Sequence, residues 1–220
     1  MLKIKQVSVD FNGDPALIEV SVTIKQGDFV YLVGPTGAGK TTLMRTIYMD
    51  VKPDKGYVAF GEFNSKTIKK RSIPYLRRFM GIIFQDNKIL EDRTALDNIL
   101  FALGSVGMPY RTAKKRSMQA LMKVGLLVKR DSLPGELSGG ELKRLCVARA
   151  ISHEPQLILA DEPTGNLDPI SAEEVIAMLK GINSRGTTVL IATHNYRVIK
   201  QHPGKIIFLR NGRRIVKKKR

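Results

Sequence analysis

The chain has 220 residues with a single cysteine, and its 37 Lys plus Arg against 20 Asp plus Glu give a formal net charge of +17. That length suits one domain, or one with a small subdomain, and can bury a sizeable core; lone Cys146 excludes an internal disulfide and a cysteine-rich zinc site and fits a reducing compartment. No apolar run approaches the roughly 18 to 20 residues that span a bilayer and no signal-peptide stretch opens the chain, so a cytoplasmic protein is expected, one that meets a membrane only from its side. Its charge favours an anionic partner: nucleotide, nucleic acid or the anionic inner leaflet.

In chain order, MLKIKQVSVDF alternates like a strand, with Phe11 near its end as either a stacking platform for a base or ordinary packing. FVYLVG, residues 29–34, is continuously apolar, the mark of a strand buried on both faces of a parallel sheet. It runs into GPTGAGKTT and then the apolar segment LMRTIYM, which completes G-x-x-x-x-G-K-[ST] in its strand, loop, helix setting. Such a loop, here Gly34, Pro35, Thr36, Gly37, Ala38 and Gly39, turns backbone N–H groups toward phosphate oxygens, with the three glycines permitting the bend. Lys40 is expected to reach the β- and γ-phosphates, the Thr41 hydroxyl to ligate Mg²⁺, and Thr42 to support the α-phosphate.

GIIFQ, residues 81–85, is a further buried strand. Gln85 at its end is placed to touch Mg²⁺ or an attacking water, although alone it reads as a polar strand end. From residue 86 to 136 no strand is evident, which predicts a helical insert; within it, 112–125 carries Met118, Leu121, Met122 and Gly125 on one side and Lys114, Lys115 and Arg116 elsewhere. LSGGELKRL, residues 137–145, sets Ser138, Gly139 and Gly140 before a basic helix, where an anion is favoured. Without a Lys-Ser/Thr pair, that turn cannot hold a nucleotide unaided.

LILADE, residues 157–162, ends a buried strand in two carboxylates that need something cationic or reactive to face. Asp161 fits a partner of Mg²⁺, and Glu162 a general base for water in line with the γ-phosphate. Ser171 with Glu174 reads as a capping box before Val175, Met178, Leu179 and Ile182 at helical spacing. TVLIAT, residues 188–193, leads to His194, a candidate hydrogen-bond partner of the γ-phosphate, and KIIFL at 205–209 is the last strand. Beyond it Arg210, Arg213, Arg214, Lys217, Lys218, Lys219 and Arg220 crowd seven positive charges around Ile215 and Val216.

Together, GPTGAGKTT, Gln85, LSGGE, LILADE, GNLD at 165–168 and His194 resemble an ABC-type ATPase, in its order and over essentially the whole chain. The resemblance implies an α/β P-loop NTPase: a largely parallel sheet core (1–85 and 156–220), an antiparallel β-subdomain, and a helical subdomain over about 86–155, all in one nucleotide-binding domain spanning 1–220. It also implies ATP and Mg²⁺ as cofactors, with Mg²⁺ held through Thr41, Gln85 and Asp161, and a homodimer on ATP binding in which Ser138, Gly139, Gly140 and Glu141 of one copy close over the phosphate held by the other. Glu141 stands where many members have Gln, so its charge must turn away from the phosphate; Asn195 stands where Asp is frequent. IPYLRRFMGIIFQDNKILEDRTALDNI, residues 73–99, and ADEPTGNLDP are most similar to the bacterial cell-division branch. That implies an integral membrane partner controlling peptidoglycan hydrolysis, and a peripheral position on the inner face of the membrane. A lipoprotein or small-molecule exporter would share every catalytic residue. A nucleic-acid-stimulated ATPase is suggested by KTIKKR and RRIVKKKR, but without the long coiled coils or zinc cysteines of DNA-handling relatives nucleic acid is not the expected partner.

Overall fold

In the computed structural model, which describes residues 1–215, β1 (Leu2–Phe11) and β2 (Asp14–Ile24) form an antiparallel hairpin. The apolar run that follows is β3 (Phe29–Val33), and α1 (Lys40–Ile47) begins at the P-loop lysine itself, three residues earlier than the apolar segment alone marks. β4 (Lys55–Phe60) and β5 (Phe63–Asn64) join the hairpin in a four-stranded antiparallel sheet of order β2-β1-β4-β5. Next come α2 (Ile73–Arg77), β6 (Met80–Ile83), and the helices α3 (Ala95–Ser105), α4 (Tyr110–Lys123) and α5 (Gly139–Ile151). The chain closes with β7 (Leu157–Asp161), α6 (Pro169–Asn183), β8 (Thr188–Thr193), α7 (Tyr196–Gln201), β9 (Lys205–Arg210) and β10 (Arg213–Ile215). The second sheet has the order β10-β9-β3-β8-β7-β6, parallel throughout except where β10 turns back on β9.

Continuous apolarity in the central strands has a direct structural cause. Phe29, Tyr31, Val33, Ile158, Ala160, Val189 and Ile191 point into one core, shared with Ile99, Leu103, Leu145, Val175 and Leu179 of the helices. The alternate residues Val30, Leu32, Leu157, Leu159, Leu190 and Ala192 point into another, shared with Leu43 and Ile47 of α1 and the inner face of the antiparallel sheet. A strand covered on both sides cannot alternate, and each buried Val, Leu, Ile or Phe side chain contributes roughly 1.5 to 3 kcal/mol by leaving water.

Several local expectations change. Strand β6 ends at Ile83, so Gln85 sits in the following loop and is exposed. The N-cap of helix α6 lies three residues before the expected one: it is Asp168, accepting from the N–H groups of Ile170 and Ser171, with Pro169 in the first turn. Asp-Pro is itself a helix-start signal and outranks the Ser171–Glu174 spacing. On α4 the buried face is Ala113, Ser117, Ala120 and Leu121, while Met122 is 60% exposed and Gly125 lies beyond the helix. Finally, residues 213–215 of the basic terminus are a strand, with the Arg214 guanidinium donating to Ser21 O at 2.8 Å; Val216, Lys217, Lys218, Lys219 and Arg220 lie outside the described residues.

The DRT-x-x-DN stretch has a structural explanation. Thr94 caps α3, its hydroxyl accepting from Asp97 N–H at 3.1 Å. Buried Asn98 accepts from Leu90 N–H at 2.9 Å and donates to the carbonyls of Leu90, Arg93 and Thr94, each at 3.0 Å. One amide therefore closes the loop that leads from Gln85 into the helices.

Candidate active site

Parallel strands direct their C-terminal ends to one edge of the sheet, and β3, β6, β7 and β8 all deliver site residues there. A cavity of about 330 Å³ at this edge is lined by the loop from Thr36 to Thr42, by Gln85, Asp161, Glu162 and His194, and by Asp14 to Ala16 of the hairpin. Gly39 has φ +94, a left-handed conformation, and a Cβ on it would stand 2.5 Å from Ala16 O. Gly34 differs from the expectation: its constraint is packing, since an added Cβ would meet Leu209 O at 2.2 Å. Lys40, 8% exposed, donates from Nζ to the carbonyls of Gly34 (2.9 Å) and Pro35 (3.1 Å), which arches its side chain over the loop.

The two carboxylates at the end of β7 have different surroundings. Asp161 is held above the usual carboxylate range, chiefly by burial, with the Thr41 hydroxyl bond opposing and the neighbouring Glu162 charge adding. Its Oδ1 is buried and has no hydrogen-bond partner, an orphan acceptor beside a hydroxyl that suits a hard cation. Glu162 has φ +44, a strained value for a non-glycine residue, and its backbone is held by Glu162 N–H to Ala192 O at 2.9 Å and Gly165 N–H to Glu162 O at 3.0 Å. Its Oε1 lies 2.8 Å from His194 Nδ1 and 3.9 Å from Lys40 Nζ. The side chain is 12% exposed while the His194 ring is 66% exposed, so the carboxylate is sheltered and the imidazole reaches outward.

Phe11 does not line this cavity. It stands 46% exposed at the end of β1, paired across the hairpin with Asp14, which does line it. Core packing is thereby excluded for its ring. The turn at 138–141 is likewise absent from the cavity lining. Ser138 is the N-cap of α5, and Glu141 turns back to complete a capping box with the Ser138 N–H at 2.9 Å while Lys129 Nζ approaches at 2.8 Å. The Lys129 bond, then the backbone cap, hold its carboxyl at about 2, well below the usual range. Asn195 caps α7, accepting from Arg197 and Val198 N–H.

Further along α5, two cations that motif reading passes over clasp the loop after Gln85. Arg149 donates to the carbonyls of Asn87 (2.6 Å) and Lys88, and buried Lys143 approaches Gln85 O at 3.5 Å. One rigid helix therefore joins the turn at Ser138 to the Gln85 loop. Cys146, between them and fully buried, has its thiol pushed up by burial and is inert. No local sequence signal marks Arg149, because a cation on a helix ordinarily faces solvent.

Comparison with known proteins places the whole chain in one family. Residues 17–165 match the ABC transporter family. The cell division ATP-binding protein FtsE of Streptococcus pneumoniae is 46% identical over 202 residues, 92% of this chain and 88% of that protein. FtsE of Bacillus subtilis is 43% identical over 213 residues, 96% and 93% of the two chains. Among solved structures, the dimeric post-hydrolysis state of the ATP-binding cassette MJ0796 bound to ADP and Pi superposes with a TM-score of 0.88 at 31% identity, covering 100% of this chain and 98% of that one.

Proposed function

The chain belongs to the ABC transporter family, and from that premise we propose that it is the Mg²⁺-dependent ATPase subunit of a membrane complex in bacterial cell division, in the manner of the FtsE proteins it resembles. The observation that carries the reading is the Glu162 carboxylate, sheltered between His194 and Lys40 at the mouth of the cavity. Lys40 and the loop N–H groups bind the β- and γ-phosphates, and Thr42 the α-phosphate. Thr41, Asp161 and Gln85 would hold Mg²⁺, which supplies neutralising charge to the phosphate oxygens; the orphan Asp161 Oδ1 supports that assignment. Glu162 takes the proton of the attacking water, and His194, hydrogen-bonded to it, sets its orientation and reaches toward the γ-phosphate. Phe11, exposed beside the cavity, supplies a face for the adenine.

The second half of each site comes from another copy. Ser138, Gly139 and Gly140 at the N-terminus of α5 donate to a γ-phosphate bound elsewhere, so the enzyme works as an ATP-closed homodimer whose two sites are composite. Its membrane partner is an integral subunit of the FtsX type. By its likeness to the FtsE proteins it would sit peripherally on the cytoplasmic face of the membrane; among the described residues no helix is long and apolar enough to cross.

Glu162→Gln tests the chemistry. It keeps shape and hydrogen bonding but removes the proton acceptor, so ATP binding persists, turnover falls by about 10² to 10⁴, and the ATP-bound dimer accumulates. Near-normal hydrolysis by this variant would overturn the assignment of Glu162.

A further inference from the structure

A carboxylate in the first turn of α5 stands where a phosphate must dock, and two negative charges at one helix terminus repel. The chain resolves this with a residue outside every motif. Lys129 ends the short 3-10 turn Leu127–Lys129 that follows α4, and its Nζ reaches both Glu141 oxygens, at 2.8 and 2.9 Å. The same carboxylate accepts from Ser138 N–H at 2.9 Å, and Ser138 Oγ accepts from Glu141 N–H at 3.3 Å. Exposed ion pairs usually contribute little. Here the Glu141 side chain is 17% exposed, and a backbone cap and a cation converge on it, so its direction is set as well as its charge.

We propose that Lys129 is a positioning residue for the signature turn: it holds Glu141 in the capping box and cancels its charge, leaving the N-terminus of α5 free to present Ser138, Gly139 and Gly140 to the γ-phosphate of a second copy. The inference rests on the in-trans role of that turn proposed above. Its charge accounting is specific. The native pair sums to zero; Lys129→Met leaves one negative charge at the phosphate site; adding Glu141→Gln returns the sum to zero and keeps a residue able to complete the box.

The test uses the Glu162→Gln protein, in which ATP-driven dimers accumulate, and reads the ATP concentration for half-maximal dimerisation by light scattering coupled to size exclusion. Lys129→Met raises that concentration on the order of tenfold. Lys129→Arg, which keeps the cation, and the double variant Lys129→Met with Glu141→Gln both return it to within about twofold of the parent. A merely structural lysine would leave the double variant as weak as the single one, and that result overturns the proposal, as does no shift with Lys129→Met. Failure of the Glu162→Gln parent itself to dimerise with ATP would instead overturn the in-trans reading beneath it.

Discussion

Replacing Asp161 by Asn separates what this residue does for the fold from what it does for nucleotide. Its raised pKa means that folding disfavours the ionised carboxylate, so the native state loses stability as pH rises from the unfolded value through the higher folded one. At pH 7 the charge is therefore a burden: Oδ1 is buried without a partner, and Glu162 adds like-charge repulsion. An unpartnered buried acceptor costs about 1 to 3 kcal/mol. The amide is isosteric, its oxygen still accepts from Thr41, and it removes the repulsion while leaving a polar group buried. A net gain of about 1 kcal/mol follows, which in a chain of this length raises Tm by about 2 to 4 °C. With Mg²⁺ and ATP the order reverses. Wild-type protein gains about 2.7 kcal/mol from ligand at a hundredfold excess over Kd, and the variant, lacking the carboxylate for the cation, loses most of that. Thermal unfolding of both proteins, with and without Mg-ATP, at pH 5 and pH 8, reads all of this. The nucleotide-free gain should shrink at the lower pH, where the wild-type carboxyl is closer to neutral. A variant that is less stable without nucleotide, or that keeps the full Mg-ATP shift, would refute the assignment of Asp161 as a buried, cation-binding carboxylate.

Two further outcomes test assembly and location. Mixing inactive Lys40→Ala and Ser138→Arg subunits should restore part of the ATPase activity, because one site of the mixed dimer pairs an intact P-loop with an intact signature turn; confirmed mixed dimers without recovery would count against the head-to-tail arrangement. For the basic terminus, a chain ending at Ile215 retains β10 and its Arg214–Ser21 bond but lacks the last four positive charges. Each such charge near an anionic surface contributes on the order of 1 kcal/mol, so the shortened chain should co-sediment less with anionic liposomes at low salt and equally with neutral ones. Equal binding to anionic vesicles would assign any membrane attraction to the folded part.

The division between what is legible in the chain and what is not follows the range of the forces involved. Motifs whose chemistry is local stand out in the sequence: the P-loop, because strand, glycine turn and helix are contiguous, and the central strands, because burial on both faces leaves no polar position to disguise them. Thr94 and Asn98 also bond partners close by in the chain, yet DRT-x-x-DN reads in the sequence only as a resemblance, and Leu90, which Asn98 bonds, lies outside that pattern. Where two local signals compete, as at Asp168–Pro169 against Ser171–Glu174, or where a face is chosen by a distant neighbour, as when Met122 is left outside and Ala113 taken inside, spacing alone misleads. The site's central contact belongs wholly to tertiary structure. Glu162 and His194 are 32 residues apart and meet because β7 and β8 lie parallel in the register that sets Asp161 against Ala192, so the residues just beyond each strand emerge at the same edge. Lys129 reaches Glu141 by the same kind of long-range placement, the turn after α4 coming to rest against the start of α5. A carboxylate's neighbours in sequence state that it must be answered by a cation; only packing decides which one, since the choice depends on how helices and strands far apart in the chain share one core.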